Sequence, residues 1–501
     1  MTSNISLSTW HDASIASVKN GNLELLLHSE RFSHIKHDQM SPVCVGEFIK
    51  QGGDFNSASH AEMGKGSTHH AYHAAHSFYD SGFKEAICVV VDGMGSEVEL
   101  KERYLQEDSY GRECMSIYKM SYPNNIDLVY RIVSVPWKDF DQGLFTEDRK
   151  THMIRTSSPA YFFQRTCIKW GMNWYDAGKL MAMAAYDNNP KEYNNSIEFE
   201  MDDEDVRDVE LKTDFNTFEE KAHFCASLQN KSQEYVRKLI IQGIEVSGCK
   251  NVCLSGGYFL NCVSNSYIKK NLPDSVNIFV EPICGDDGVS IGLAKLNWYD
   301  QTKSKKINPL KTVYYGLERE IDVEGRETNF KEVAKLLEQG KVVSIFQGRS
   351  ECGPRALGNR SILYDPRDPD GRDKINALKG REDYRPLAAT VLYEHAKKWF
   401  DMSFIDESPY MLYNLDVLSD KVPAICHVDN TCRVQTLKKS FNKNFYQLIY
   451  EFYRLTDVPL LLNTSFNLAG DTIVETVDDA VKTLNNSDID YLYFPEKQII
   501  L

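Results

Sequence analysis

The stretch "HHAYHAAHSFYDSGFKEAICVVVDG", from His69 to Gly93, narrows the possible folds more than any other. Its first half carries alanines at positions 71, 74 and 75 and predicts a helix. Its second half is an apolar run closed by Asp-Gly, which predicts a buried strand ending in a turn. Helix-like and strand-like pieces keep alternating downstream, so the chain reads as α/β. On the helix, His69 and His73 are four apart and share a face, where two imidazoles can converge on one ion. His70 points elsewhere and His76 competes for a place, and both either line the same pocket or face solvent.

Two imidazoles make an incomplete site, and carboxylates at strand ends are the natural complement. Asp92 ends "VVVDG" and Asp286 sits in the glycine-flanked turn of "PICGDDGVSIG". Two imidazoles and two carboxylates suit Fe(II), Mn(II) or Zn(II), with Fe(II) favoured where coordination positions stay open. The competing reading is a helix with ordinary surface or core histidines.

The 501 residues predict two or three domains. A formal net charge of −15 is poorly suited to wrapping duplex nucleic acid. The N-terminal "MTSNISLSTWHDAS" has neither a basic region nor an apolar one, so no secretory leader is expected. There is no run of eighteen apolar residues and hence no expected membrane partner. The twelve cysteines include no CxxC pair and read as thiols of a reducing cytoplasm.

"SIASVKNGNLELLLHSER" predicts a hairpin around Asn-Gly-Asn. "VCLSGGYFLNCVSNSYIKK" predicts strand, Gly-Gly turn and helix, and "YDAGKLMAMAAYD" a helix. Residues 106–150 and the acidic residues 198–210 read as solvated insertions. The lysine-rich "YDQTKSKKINP", Tyr299 to Pro309, reads as a linker, giving domains 1–300 and 310–501. Beyond it "EVAKLLEQGKVVSIFQG" predicts helix then strand, and arginines become dense.

Arginine recognises phosphate with two parallel donors, and lysine acts as a point charge. "GPRALGNRS" offers Arg355 and Arg360 beside glycines, and "KGREDYR" offers Lys379, Arg381 and Arg385. Any one of these could equally sit in a surface ion pair.

Read together, these stretches resemble a known family. "THHAYHAAHSFYDSGFKEAICVVVDGMGSE" and the opening "WHDASIASVKNGNLELLLHSERFSHIKHD" are similar to signatures of the O-carbamoyltransferases of the nodulation-protein-U and tobramycin-carbamoyltransferase family. So are "LSGGYFLNCVSNSYI", "YDAGKLMAMAAYD", "GRSECGPRALGNRSILYDPR", "KGREDYRPLAATVL", "HVDNTCRVQT" and "LLNTSFNLAGDTIV", in the family's order from Trp10 to about Glu475. The chain departs where Ser96 separates Gly95 from Glu97, and where Ala182 and Asn430 replace glycines.

The resemblance implies an N-terminal actin-like ATPase domain, as in threonylcarbamoyl transferases, and a C-terminal twisted α/β domain that forms carbamoyl adenylate. It implies that carbamoyl phosphate and Mg-bound ATP yield carbamoyl adenylate, whose carbamoyl group passes to an acceptor hydroxyl at a metal site. Arg355, Lys379, Arg385, Arg433, Ser465 and Asn467 would hold carbamoyl phosphate and the adenylate, with Lys379 and Arg385 catalytic. His427 and Asp429 would bind nucleotide or only order their loop, and Lys179, Gly256, Gly257 and Asn261 would line a second nucleotide site. His11 would take the acceptor's proton or only brace a loop.

The acceptor is read as a natural-product or sugar hydroxyl, with a hydroxymethylated nucleobase left open and a homodimer as the base-rate assembly. Rival readings are an actin-like kinase, which needs no arginine-rich second domain, and an HxxxH metalloprotease, which lacks the glutamate of HExxH. A tRNA threonylcarbamoyl transferase fits the acidic charge poorly. An inactive nucleotide-binding scaffold has no need of the four metal-binding residues.

Overall fold

The computed structural model describes residues 3–55, 58–61, 69–100, 110–135, 144–146, 148–154, 158–187 and 215–501. The acidic residues 198–210 lie outside them. The chain divides into two compact units, one of residues 1–24 and 49–311, the other of residues 25–48 and 312–501. Residues 25–48 thus group with the C-terminal residues, whereas the sequence reading has one contiguous N-terminal segment.

The first unit holds two sheets. In one, the order is Asn22–His28, Ser14–Lys19, Ser3–Ser8, Ser59–Ala61, with the last pair parallel. The expected hairpin is present, and Asn20 and Gly21 both take positive φ, 53° and 75°, as a two-residue turn matched to strand twist requires. The larger sheet runs Asn277–Val280, Asn251–Ser255, Glu85–Val91, Tyr110–Ser121, Asn125–Ser134, Thr151–Ile154, Leu144–Phe145. Glu85–Val91 pairs antiparallel with Tyr110–Ser121 on one side and parallel with Asn251–Ser255 on the other.

Both sheets follow one plan: a first strand, a hairpin on one flank, a parallel strand on the other. No sequence repeat announces it, so the likeness lives in topology. It is the doubled arrangement of an actin-like fold.

The segment read as a solvated insertion is corrected here. Tyr110–Ser121 and Asn125–Ser134 are long strands inside the larger sheet, with Met115, Ile117 and Met120 buried. Register shifts at Glu113/Met115 and Ile117/Tyr118 break the alternation that would have marked them as strands.

The helix His69–Ser81 is buried along nearly its whole length. It lies against the helix Val289–Thr302, where a Cβ on Gly292 would meet the Tyr72 carbonyl oxygen at 2.0 Å. Only glycine permits that approach.

The second unit is built on a nine-stranded mixed sheet ordered Arg326–Glu327, Ile499–Ile500, Tyr491–Phe494, Val343–Phe346, Arg360–Tyr364, Leu460–Ser465, Ala388–Leu392, Thr431–Leu437, Asn414–Asp416. Helices Phe330–Glu338 and Lys443–Thr456 pack together beside it. Phe445, Leu448, Ile449 and Phe452 follow the 3–4 spacing of an apolar helix face and join its core. Among the described residues, no helix is long and apolar enough to cross a membrane.

Candidate functional site

His69 and His73 project from the first turns of their helix. Asp92 immediately follows the strand Glu85–Val91, and Asp286 opens the turn Asp286–Gly288. All four are buried, and one donor atom from each lies within 4.8 Å of the others. The His69 and His73 Nε2 atoms are 3.2 Å apart. Asp286 Oδ1 lies 3.3 Å from His73 Nε2 and 3.5 Å from His69 Nε2, while Asp92 Oδ2 lies 3.5 Å from His69 Nε2.

These separations test whether the group fits an ion. Donors about 2.1 Å from a metal stand about 3.0 Å apart in an octahedral shell and about 3.4 Å in a tetrahedral one. The observed edges match that range, so the four residues fit a divalent first-row metal.

Neighbouring groups orient the donors. His73 Nδ1 faces Ser255 Oγ at 3.4 Å, which leaves Nε2 toward the group. The Gly257 N–H donates to Asp92 Oδ1 at 3.0 Å. Gly256 has φ +99°, and a Cβ there would meet the Val91 carbonyl oxygen at 2.3 Å. The Gly-Gly turn therefore lets the backbone close onto the strand end and brace Asp92. Ser96, the departure from the Gly-Glu pattern, accepts from the His69 N–H at 3.3 Å and satisfies a helix N-terminal donor.

Without a cation, the carboxylates dominate. Burial opposes protonation of His69, but Asp286 and Asp92 outweigh it and raise its pKa to about 10. His11 stands beside the group, with Nε2 3.5 Å from Asp286 Oδ2 and Nδ1 3.0 Å from Asp12 Oδ2, and its ring meets Trp174 edge-on. Burial lowers its pKa too, and Asp12 and Asp286 reverse that and raise it to about 9. Divalent charge at Asp286 would cancel that pull and return His11 toward the neutral form that can accept a proton.

For the other two histidines the solvent-facing alternative is corrected. His70 is fully buried with Nδ1 2.8 Å from Ser116 Oγ, and His76 is fully buried beside Asp80 and Glu281. Neither faces solvent.

The residues expected at a second nucleotide site have other tasks here. The Asn261 side chain caps the helix Cys262–Lys270 by accepting from the Ser264 N–H at 3.0 Å, and donates to Gln229 Oε1 at 2.8 Å. Lys179 lies 3.1 Å from Asp176.

In the second unit, Arg381 is where cations crowd. Burial and the guanidinium groups of Arg385, Arg433 and Arg355 lower its pKa to about 9. Glu382 lies 3.6 Å from Arg385. Guanidiniums grouped in this way are suited to binding a polyanion.

Lys379 differs from the reading that makes it a direct ligand. It is 3% exposed, and the three donors of its side-chain nitrogen are surrounded by four oxygens within 3.2 Å: the Ser465 carbonyl oxygen, Ser465 Oγ, the Asn467 carbonyl oxygen and Asn467 Oδ1. Its donors are already engaged, so it shapes the loop of Ser465 and Asn467. Arg360 is a core residue: it donates to the Gln347, Asn359 and Gly348 carbonyl oxygens and stacks 3.6 Å from the Phe346 ring centre. Asp429 accepts from the Thr431 N–H and hydroxyl at 3.1 and 2.6 Å, and His427 closes the same turn through its backbone. Asn430 takes φ 60°, a left-handed position that asparagine tolerates, which accounts for its standing where glycine is usual.

With both sites described, comparison with known proteins supplies the class. Residues 49–295 match the family model described as the carbamoyltransferase N-terminus, and residues 334–500 match the carbamoyltransferase C-terminus. Nodulation protein NolNO of Sinorhizobium fredii is 31% identical over 448 residues, covering 85% of this chain and 62% of that one. The 3'-hydroxymethylcephem-O-carbamoyltransferase of Amycolatopsis lactamdurans is 32% identical over 330 residues, covering 61% of each. Full-length HypF aligns in structure over 59% of this chain and 55% of its own, at 14% identity and a TM-score of 0.37. The chain belongs to the carbamoyltransferase family, and is itself a carbamoyltransferase.

Proposed function

We propose that the protein is an ATP-dependent O-carbamoyltransferase that runs its two half-reactions in separate units. The observation that carries this reading is the convergence of His69, His73, Asp92 and Asp286 beside His11 in one unit, with a guanidinium cluster in the other.

In the second unit, Arg355, Arg381, Arg385 and Arg433 bind the phosphates of carbamoyl phosphate and Mg-bound ATP. Water releases phosphate from carbamoyl phosphate, and the resulting carbamate oxygen attacks the α-phosphorus of ATP. Pyrophosphate leaves and carbamoyl adenylate remains. Lys379 positions Ser465 and Asn467 against this species.

In the first unit, His11 accepts the acceptor's hydroxyl proton as that oxygen attacks the carbamoyl carbon. The bond from that carbon to the AMP oxygen breaks, and AMP departs. A divalent cation at the four-residue group, with Fe(II), Mn(II) and Zn(II) all compatible with the donors, would supply Lewis acidity at the carbamoyl carbonyl. The acceptor is a small hydroxylated molecule such as a sugar or natural product.

The test is pyrophosphate release from ATP with carbamoyl phosphate, followed by mass spectrometry of a panel of hydroxyl acceptors. Release that depends on carbamoyl phosphate, and an acceptor gaining one carbamoyl group with AMP formed, is the expected result. ATP consumed to ADP with a phosphorylated acceptor would replace this reading with a kinase.

A further inference from the structure

The helix that carries His69 and His73 continues the same stripe with His76 and Asp80. Steps of four, three and four residues keep all of them on one face. The lower pair meets Glu281, which directly follows the strand Asn277–Val280. His76 Nε2 lies 3.3 Å from Asp80 Oδ2 and 3.4 Å from Glu281 Oε1, and the three side chains are 0% exposed. One donor atom from each lies within 4.8 Å of the others.

These contacts lack hydrogen-bond geometry. His76 Nδ1 and Nε2, Asp80 Oδ2 and Glu281 Oε2 are buried without a hydrogen-bond partner. Native proteins rarely leave such atoms unanswered, because each costs its full desolvation. The separations equal the donor–donor edges of a coordination shell, about 3.0 to 3.4 Å. They also match the edges of the first group.

The surroundings hold the donors in place. Lys295 pairs with Asp80 through Oδ1, which leaves Oδ2 toward His76. The Ile283 N–H donates to Glu281 Oε1 at 3.1 Å. A Cβ on Gly288 would meet His76 Nδ1 at 2.5 Å, so the ring sits where only glycine makes room. Two carboxylates and one lysine meet here in a dry interior.

We propose that His76, Asp80 and Glu281 hold a second divalent transition-metal ion, a closed structural site deeper along the same helix. One nitrogen and two carboxylate oxygens suit Zn(II), Mn(II) or Fe(II). The helix pairs His69/His73 and His76/Asp80 are centred about seven residues apart, or about 10 Å along the helix, too far for the two ions to share a substrate oxygen. Full burial leaves no open position for substrate, as in structural sites. The ion ties the metal-bearing helix to the strand end that precedes Asp286. This inference does not rest on the proposed reaction.

The experiment counts ions. Full-length protein is stripped with a chelator, reloaded with Zn(II) alone and analysed by plasma mass spectrometry. Wild type is expected to hold two ions per chain, Glu281→Gln one, and the His69→Ala/His73→Ala double variant one. In that double variant Zn(II) should still raise the melting temperature, and adding Glu281→Gln should remove the rise. A single ion in wild type, lost in the double variant and unchanged in Glu281→Gln, would overturn the proposal. If neither variant folds, wild-type stoichiometry decides: two ions support the second site and one refutes it.

Discussion

The two units solve opposite electrostatic problems. In the first, Asp92 and Asp286 crowd two imidazoles and hold protons on His69 and His11, a place that a cation can take. In the second, Arg355, Arg385 and Arg433 gather their positive charge around Arg381. Buried like charges are costly unless something answers them. Each site thus suits a ligand of opposite sign: a cation in the first, a polyanion in the second. Lys379 makes the contrast sharper. It is as buried as any of them, yet four oxygens from Ser465 and Asn467 satisfy it, so it reads as support.

The largest effect should come from the imidazoles. His73→Ala should cut carbamoylated product on the order of 10³-fold, checked by product mass spectrometry, because a donor that acts on developing charge is removed. Next comes the cation cluster. Arg433→Ala should reduce carbamoyl-phosphate-dependent pyrophosphate release on the order of 10²-fold while leaving the metal content of the first unit intact. Arg433→Lys should restore little of it, since a point charge does not replace the planar fork.

A smaller effect tests the bracing. Gly256→Ala drives a Cβ against the Val91 carbonyl oxygen at φ +99°. It should cost about 2 to 4 kcal/mol in denaturant unfolding, combining left-handed strain with overpacking. The smallest effect should come from a charge pair that needs no ligand. Glu234 is held by two donors of Arg237 at 2.7 and 2.8 Å and by the Tyr267 hydroxyl at 2.9 Å. Arg237, ahead of any burial effect, lowers its pKa to about 2. A depressed carboxylate stabilises the fold above its ordinary pKa of 4.5 and loses that contribution as pH falls through about 2. Glu234→Gln should therefore destabilise by no more than ~1 kcal/mol at neutral pH and by distinctly less at pH 2, measured by denaturant titration at both.

Local patterns were legible in the sequence. Alanine-spaced histidines gave the helix His69–Ser81, the apolar run gave Glu85–Val91, and Asn20-Gly21 gave a hairpin, because each depends on neighbours a few residues away. The convergence of His69, His73, Asp92 and Asp286 was also anticipated, since strand ends and helix starts meet at one edge of such folds. What a side chain faces across long separations was not. Arg360 and Arg355 look alike in "GPRALGNRS", but the strand Arg360–Tyr364 turns Arg360 into the core. Glu281 reaches His76 from about two hundred residues away, so neither residue could signal the other. Tyr110–Ser121 hid because its bulges break the two-residue period that identifies a strand.

The most direct test of the two-site account is Asp286→Asn assayed for both half-reactions. The account predicts carbamoyl-phosphate-dependent pyrophosphate release at the wild-type rate, together with loss of one bound metal ion and of carbamoylated product. Pyrophosphate release that falls in step with the metal would contradict it, because adenylate formation would then depend on the residues assigned to transfer.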